Sequence, residues 1–240
     1  MTAILARVRN SPQSTGRTST PSTKENLQRI SSTQRKVVAA QNAKVPVAIF
    51  GSGAGSTARA ILEYERSGVR AFSVELVLTN RADAGIIGVA EQFGIRSTVL
   101  SPRGFSTEDA YATAMIELLR GIELVVLAGY LLKVPSAVVA HFRDRILNVH
   151  PALLPKFGGK GMYGIHVHRA VLAAGERCSG ATIHLVTEEY DAGPILEQVR
   201  VPVNTDDTPE TLMLRVQAAE RYLYPRTVER YCQRSLEWGA

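Results

Sequence analysis

Short apolar runs alternate with longer amphipathic stretches along the chain from Val45 onward. The runs VPVAIF, FSVELVLTN, IRSTVL, IELVVLAGY and RILNVH are rich in β-branched residues and predict strands. Between them, apolar residues recur every three to four positions, as in STARAILEYERSG, and this spacing predicts helices. Strands that alternate with helices favour right-handed crossovers between parallel strands. The pattern therefore predicts an α/β fold with a doubly wound, mostly parallel sheet and flanking helices.

The chain beyond residue 165 continues with a different order of elements. The pattern predicts a helix over about 166–175, strands near 180–187 and 194–203, and a long helix from about 209 to 233. The acidic segment TEEYDAGP lies between these two strands and predicts a turn. Ligands of doubly wound sheets bind beyond the carboxyl ends of the strands. Polar clusters that follow strands are therefore the candidate site.

Residues 1–44 differ in composition from the rest of the chain. They hold eight basic residues and one acidic residue, and the segment NSPQSTGRTSTPSTKENLQRISSTQRK is nearly free of large apolar side chains. Such a segment buries too little apolar surface to offset the entropy of ordering. We therefore predict a disordered tail over 1–44 and a catalytic domain over 45–240. An organellar transit peptide is the alternative to the cytoplasmic location that we expect.

The net charge of +6 is concentrated in this tail, which carries +7, so residues 45–240 carry −1. A nucleic-acid partner is therefore not expected. A membrane partner is not expected either, because no stretch approaches the roughly 18 uninterrupted apolar residues of a membrane helix. Cys178 and Cys232 have no ligand or redox spacing and are expected to be buried or incidental thiols. We expect small-molecule substrates and a monomer or homodimer.

The segment GSGAGST follows the first predicted strand and precedes a helix. Backbone N–H groups at a helix N-terminus bind anions, so this turn predicts a phosphate site. A dinucleotide site is less well supported, because Ser56 replaces the third glycine and the second strand ends in Asn80 rather than in an acid. A tight turn without a ligand is the alternative. The predicted phosphate-binding residues are Gly53, Ala54, Gly55, Ser56 and Thr57.

Asn148 and His150 alternate along the fifth predicted strand, so their side chains point to the same face. An amide donor beside an imidazole can stabilise an oxyanion and supply a proton. By itself, such a pair is more often hydrogen-bonded structure. Asp191 favours a catalytic site, because it precedes Ala-Gly-Pro in the late turn, where its carboxylate would orient a water molecule or the imidazole.

Other polar residues carry weaker signals. His166 and His168 have no further ligand at a diagnostic spacing, so we expect no metal and interpret them as residues at a helix start beside the active loop. We interpret His184, inside ATIHLV, as a strand histidine with satisfied hydrogen bonds. Glu220 is the kind of residue that ordinarily lies on a solvated helix face.

Several segments together resemble the folate-dependent phosphoribosylglycinamide formyltransferases. They are LVVLAGYLLKVP, NVHPALLPKF and HVHRAVLAAGERCSGATIHLVTEEYDAGPIL, following the GSGAGS turn, and the similarity spans residues 45–232. The resemblance implies the formyltransferase fold. It also implies transfer of the formyl group of 10-formyltetrahydrofolate, a co-substrate, to the amine of glycinamide ribonucleotide in purine biosynthesis.

The resemblance also implies roles for individual residues. Asn148 and His150 would stabilise the oxyanion, with His150 as proton donor, and Asp191 would orient water and imidazole. Residues 53–57 would bind the substrate phosphate, and Glu220 would contact the ribose. The implied folate-binding residues are Leu131, Leu132, Lys133, Val134, Thr187 and Tyr190.

Three features depart from the family pattern. The phosphate turn lacks the two asparagines that are usual there, and acidic Glu108 replaces a basic residue that helps to bind phosphate. Arg81, Arg103 or Lys160 would have to compensate. The loop FGGKGMYGIH is also longer than the short family form.

Three other functions remain open from the sequence. Formyltetrahydrofolate hydrolase shares the three catalytic residue types but normally has an N-terminal regulatory domain, which the polar tail does not resemble. Methionyl-tRNA formyltransferase should carry a basic barrel after the last helix. A non-catalytic folate- or nucleotide-binding module is the alternative from another class, and the presence of Asn148, His150 and Asp191 argues against it.

Overall fold

The computed structural model describes residues 44–238, and the predictions for the tail over 1–43 lie outside these residues. The strands are β1 (Val45–Phe50), β2 (Phe72–Thr79), β3 (Arg96–Val99), β4 (Leu124–Leu127), β5 (Ile146–His150), β6 (Cys178–Leu185) and β7 (Ile195–Pro202). The α-helices are α1 (Ser56–Arg66), α2 (Ile86–Gln92), α3 (Glu108–Leu118), α4 (Ser136–His141), α5 (Ile165–Ala173) and α6 (Pro209–Trp238). A 3₁₀ turn covers Pro102–Gly104.

The described strands form one sheet in the order β3-β2-β1-β4-β5-β6-β7. Strands β1 to β5 pair in parallel, and β6 and β7 add an antiparallel edge. The order reverses between β1 and β4, which places the switch point between the ends of these two strands. The prediction of a doubly wound, mostly parallel sheet is confirmed.

The central strands are buried on both faces, as their continuous apolar runs predict. Along β1, Val47 and Ile49 pack on the face covered by α1 and α6, whereas Ala48 and Phe50 pack on the face covered by α3 and α4. A third cluster of buried residues joins α5 and α6 to β6 and β7. Apolar layers on both faces therefore hold the carboxyl ends of β1, β4 and β5 in fixed positions.

The helix α6 runs further than the predicted end near residue 233 and ends at Trp238. In its middle, the buried Tyr224 hydroxyl donates to the carbonyls of Leu147, at 2.9 Å, and Leu127, at 3.3 Å. These bonds fix α6 against β4 and β5. Glu220 lies one helical turn before Tyr224, so α6 carries it towards the same ends of the sheet.

Most predicted boundaries are within two residues of those in the structure. Strand β6 begins two residues earlier than predicted because Cys178 and Ser179 pair with Pro202 and Val201. Thr107 caps the N-terminus of α3, where its hydroxyl accepts from the Ala110 N–H at 3.1 Å. None of the helices described over 44–238 is both long and apolar enough to cross a membrane.

Candidate active site

The carboxyl ends of β1, β4 and β5 open into a cavity of about 530 Å³. It is lined by the turn after β1, the loop after β4, the end of β5, the segment at 159–164 with the adjoining helix α5, the turn between β6 and β7, and one face of α6. The three predicted catalytic residues, Asn148, His150 and Asp191, all line this cavity. The site thus lies at the switch point of the sheet, where doubly wound folds bind ligands.

Strand β5 presents Asn148 and His150 on one face through the ordinary alternation of a strand. Its antiparallel neighbour β6 places His184 opposite Asn148 and Thr182 opposite His150. The Thr182 hydroxyl donates to the Ala152 carbonyl at 2.6 Å and accepts from the Leu154 N–H at 3.0 Å. The buried pairing of β5 with β6 therefore also fixes the chain just after His150.

Two acceptors flank the His150 ring, which is 3% exposed. Its Nε2 lies 2.7 Å from the Phe157 carbonyl, and its Nδ1 lies 3.4 Å from Asp191 Oδ2. Burial lowers the pKa of His150, while the Asp191 charge and the Phe157 carbonyl act in the opposite direction. The ring is neutral near pH 7, yet a proton gained at Nδ1 would face a carboxylate, which suits transient proton transfer.

Asp191 reaches the site from the turn between β6 and β7, where its own φ is 55°. Its Oδ2 accepts from the Gly159 N–H at 2.9 Å. Burial acts to raise the pKa of Asp191, but contacts with His184, His150 and the Gly159 amide outweigh it and lower the pKa overall. The turn requires glycine two residues later, because a Cβ at Gly193 would lie 1.8 Å from the Leu185 carbonyl oxygen.

His184 is a site residue that sequence reasoning missed. Its Nδ1 lies 2.9 Å from the Leu185 carbonyl, so Nδ1 carries the proton in the neutral ring. Its Nε2 then accepts from the Asn148 amide at 3.1 Å and lies 3.5 Å from Asp191 Oδ1. The expectation of satisfied hydrogen bonds is correct, but the ring satisfies them inside the site. The missing signal was the pairing of β5 with β6, which joins segments more than 30 residues apart.

The predicted phosphate turn, Gly53 to Thr57, lines one end of the same cavity. Gly55 caps α1 with φ +80°, and a Cβ there would approach the Ile86 Cα to 2.8 Å. Within the described chain, no backbone carbonyl accepts from the N–H groups of Ala54, Gly55 or Ser56. These amides are therefore available to an anion at the start of α1.

The predicted folate-binding residues lie around a smaller cavity of about 90 Å³ beside the main one. Leu132, Lys133, Val134, Thr187 and Tyr190 line it, whereas Leu131 lines the main cavity. The buried Ser52 hydroxyl accepts from the Leu131 N–H at 2.9 Å and donates to Asn80 Oδ1 at 2.6 Å. Ser52 thus ties the loop after β4 to the turn after β1.

Glu220 lines the main cavity and is 8% exposed, so the general expectation of a solvated helix face is wrong at this position. Tyr224 anchors α6 beneath the ends of β4 and β5, and this anchoring carries Glu220 inward. Burial raises the pKa of Glu220 to about 7. This carboxyl group therefore titrates in the physiological range.

Some of the remaining predicted residues line the cavity, and others lie outside it. His168 lines the cavity, with burial lowering its pKa to about 4, whereas His166 is exposed and packs edge-on against Tyr163. Of the three candidate phosphate cations, only Lys160 lines the cavity. Over residues 44–238, no group of three His, Cys, Asp or Glu side chains could hold a metal ion. Cys232 is buried and Cys178 is half-buried.

Comparison with known proteins gives one consistent family. The formyl transferase family model matches residues 45–228. The chain is 45% identical over 195 residues to phosphoribosylglycinamide formyltransferase, chloroplastic, of Arabidopsis thaliana, covering 80% of this chain and 67% of that protein. The Escherichia coli phosphoribosylglycinamide formyltransferase is 34% identical over 184 residues, covering 76% and 84%. The crystal structure of the Brucella melitensis phosphoribosylglycinamide formyltransferase superposes with a TM-score of 0.73 at 37% identity, covering 79% and 96%.

Proposed function

The chain belongs to the formyl transferase family, and we propose that it transfers the formyl group of 10-formyltetrahydrofolate to the amine of glycinamide ribonucleotide in purine biosynthesis. The carrying observation is that Asn148, His150 and Asp191 line one cavity together with the turn at 53–57 and Glu220. The homologues of this chain are phosphoribosylglycinamide formyltransferases. Their names favour this function over a hydrolase or a binding module.

The two cavities suggest how the two substrates are arranged. The amides at the start of α1 bind the phosphate of glycinamide ribonucleotide, and Glu220 accepts a hydrogen bond from its ribose. The folate ring occupies the smaller cavity between Val134 and Thr187, which borders Asn148 and Asp191. Asn148 and Asp191 line both cavities. The amine and the formyl carbon therefore meet beside them.

Formyl transfer needs stabilisation of one developing negative charge. The amine nitrogen attacks the formyl carbon, a C–N bond forms, and the carbonyl electron pair moves onto oxygen. The Asn148 amide donates one hydrogen to His184 and retains a second for this oxygen. A protonated His150 would stabilise this oxygen through its positive charge, because both of its ring nitrogens already face acceptors, the Phe157 carbonyl and Asp191. Both groups come from one rigid strand, so little reorganisation is needed.

The proton balance involves His150 and Asp191. The attacking amine loses a proton, and the folate nitrogen gains one as its bond to the formyl carbon breaks. His150 accepts and returns this proton, directly or through a water molecule oriented by Asp191. The ionised Asp191 stabilises the transient imidazolium across the 3.4 Å separation. Product and tetrahydrofolate then leave with all protons conserved.

The decisive assay compares release of tetrahydrofolate with and without glycinamide ribonucleotide. A transferase releases tetrahydrofolate only when the amine is present. Release at the same rate without the amine would mean a hydrolase, and no release in either mixture would mean a binding module.

The cellular location and the oligomeric state are separate proposals. The Arabidopsis relative is named as chloroplastic. The composition of residues 1–44, basic and poor in acidic residues, fits either a transit peptide or a polar tail. We retain the cytoplasmic prediction for this chain. A fluorescent protein fused behind residues 1–44 tests it, since import into an organelle would overturn it.

Light scattering of the purified protein tests the prediction of a monomer or homodimer.

A further inference from the structure

The main cavity has an uneven distribution of charge. Among the described residues that line it, Asp191 and Glu220 are acidic, and Lys160 is the only lysine or arginine. The turn at 53–57 contributes no charged side chain. The proposed substrate carries a phosphate group with nearly two negative charges at neutral pH. Neutral amides alone would leave most of this charge without a counter-charge.

The loop at 159–164 holds Lys160 at this cavity. Gly159 precedes it, and the Gly159 N–H donates to Asp191 at 2.9 Å, which anchors the loop to the catalytic turn. Over residues 44–238, Lys160 belongs to none of the ion pairs, so its ammonium group is available to a ligand.

The other two candidate cations, Arg81 and Arg103, do not line the main cavity, and Arg81 is paired with Asp83 at 2.7 Å. Lys133 lines the smaller cavity, where its Nζ lies 5.6 Å from the centre of the Tyr190 ring. Lys133 is thus among the residues that line the predicted folate cavity, and Lys160 is among those that line the cavity with the phosphate turn.

We propose that Lys160 is a specificity-determining residue that binds the phosphate of the amine substrate together with the amides of the turn at 53–57. This proposal rests on the proposed function. An ammonium group binds phosphate as a point charge and tolerates variable geometry, which suits a lysine on a glycine-rich loop. It also supplies a counter-charge that the turn at 53–57, which holds no charged side chain, does not provide.

Lys160→Met, which retains the aliphatic stem and removes the charge, is the main test. We expect the KM for glycinamide ribonucleotide to rise about 10- to 100-fold, since a charge-assisted hydrogen bond is lost. The KM for 10-formyltetrahydrofolate should stay within about twofold. Lys160→Arg should restore most of the affinity, because it restores the charge. Lys156→Met is the matched control, since Lys156 lies outside both cavities and should behave as the wild type.

A second comparison identifies the phosphate as the group recognised. The dephosphorylated substrate, glycinamide ribonucleoside, should show the same KM with Lys160→Met and with the wild type. Inorganic phosphate should compete with glycinamide ribonucleotide in the wild type and compete at least fivefold more weakly in the variant. Higher salt should raise the KM for glycinamide ribonucleotide more in the wild type than in the variant.

Three outcomes would overturn the proposal. They are an unchanged KM for glycinamide ribonucleotide, an equal loss with the dephosphorylated substrate, and a rise confined to the KM for 10-formyltetrahydrofolate. Calorimetric titration with glycinamide ribonucleotide alone measures binding without turnover. If the wild type binds it and Lys160→Met does not, the assignment of Lys160 holds even where formyl transfer fails, so the two proposals fail separately.

Discussion

The two ends of the main cavity are built in opposite ways. At the catalytic end, buried or half-buried side chains from β5, β6 and the late turn contact one another, with His184 linking Asn148 and Asp191. At the phosphate end, the exposed turn after β1 offers backbone amides and small side chains. Proton transfer needs particular titratable groups, whereas anion binding needs N–H groups and charge. We therefore expect the proposed phosphate end to tolerate changes of sequence that the catalytic end does not.

The largest effect is expected at the catalytic end. His150→Ala or Asp191→Asn should lower kcat by about 100-fold or more, because each removes a proton-transfer or charge-stabilising group. Steady-state kinetics measures this, with thermal unfolding as the control for folding. A rate near that of the wild type in either variant would show that the centre is misassigned.

A smaller loss is expected when a supporting residue is removed. His184→Ala removes the acceptor that orients the Asn148 amide, so kcat should fall about tenfold with little change in either KM. The pH profile of kcat should also shift, because His184 is 3.5 Å from Asp191. If both kcat and its pH profile stay unchanged, His184 has no positioning role.

The pKa of Glu220, raised to about 7 by burial, predicts a pH dependence of stability. Between about pH 4.5 and 7 the native state binds more protons at this group than the unfolded state, so the free energy of unfolding falls as pH rises. Relative to Glu220→Gln, the wild type should lose about 1–3 kcal/mol across this window. Urea unfolding of both proteins at pH 5 and pH 7.5 measures the difference. If the free energies of unfolding of the two proteins change with pH in the same way, the pKa of Glu220 is not raised.

The smallest effect is expected from side chains of the phosphate turn. Ser56→Ala and Thr57→Ala should each change the KM for glycinamide ribonucleotide by less than about threefold, because we propose that this turn contributes backbone amides rather than side chains to phosphate binding. Gly55→Ala serves as the contrast, since φ +80° and the close approach to Ile86 do not tolerate a side chain there. If Thr57→Ala weakens binding as much as Gly55→Ala does, side chains rather than backbone bind the phosphate.

The same contrast explains what the sequence could and could not predict. The strand periodicity placed Asn148 and His150 on one face, and glycine spacing indicated the turn after β1, because both are local properties. The membership of His184 depends on the antiparallel pairing of β5 with β6. The burial of Glu220 depends on the packing of α6 through Tyr224. Both contacts join distant segments, so no local pattern predicts them.

The fate of a ¹³C-labelled formyl group tests the central claim most directly. The protein is mixed with labelled 10-formyltetrahydrofolate and glycinamide ribonucleotide, and the carbon is followed by NMR. We expect the label to appear on the amine of the ribonucleotide with the wild type, and to appear at least about 100-fold more slowly with His150→Ala. Label recovered as free formate, or transferred equally fast by His150→Ala, would contradict the central claim.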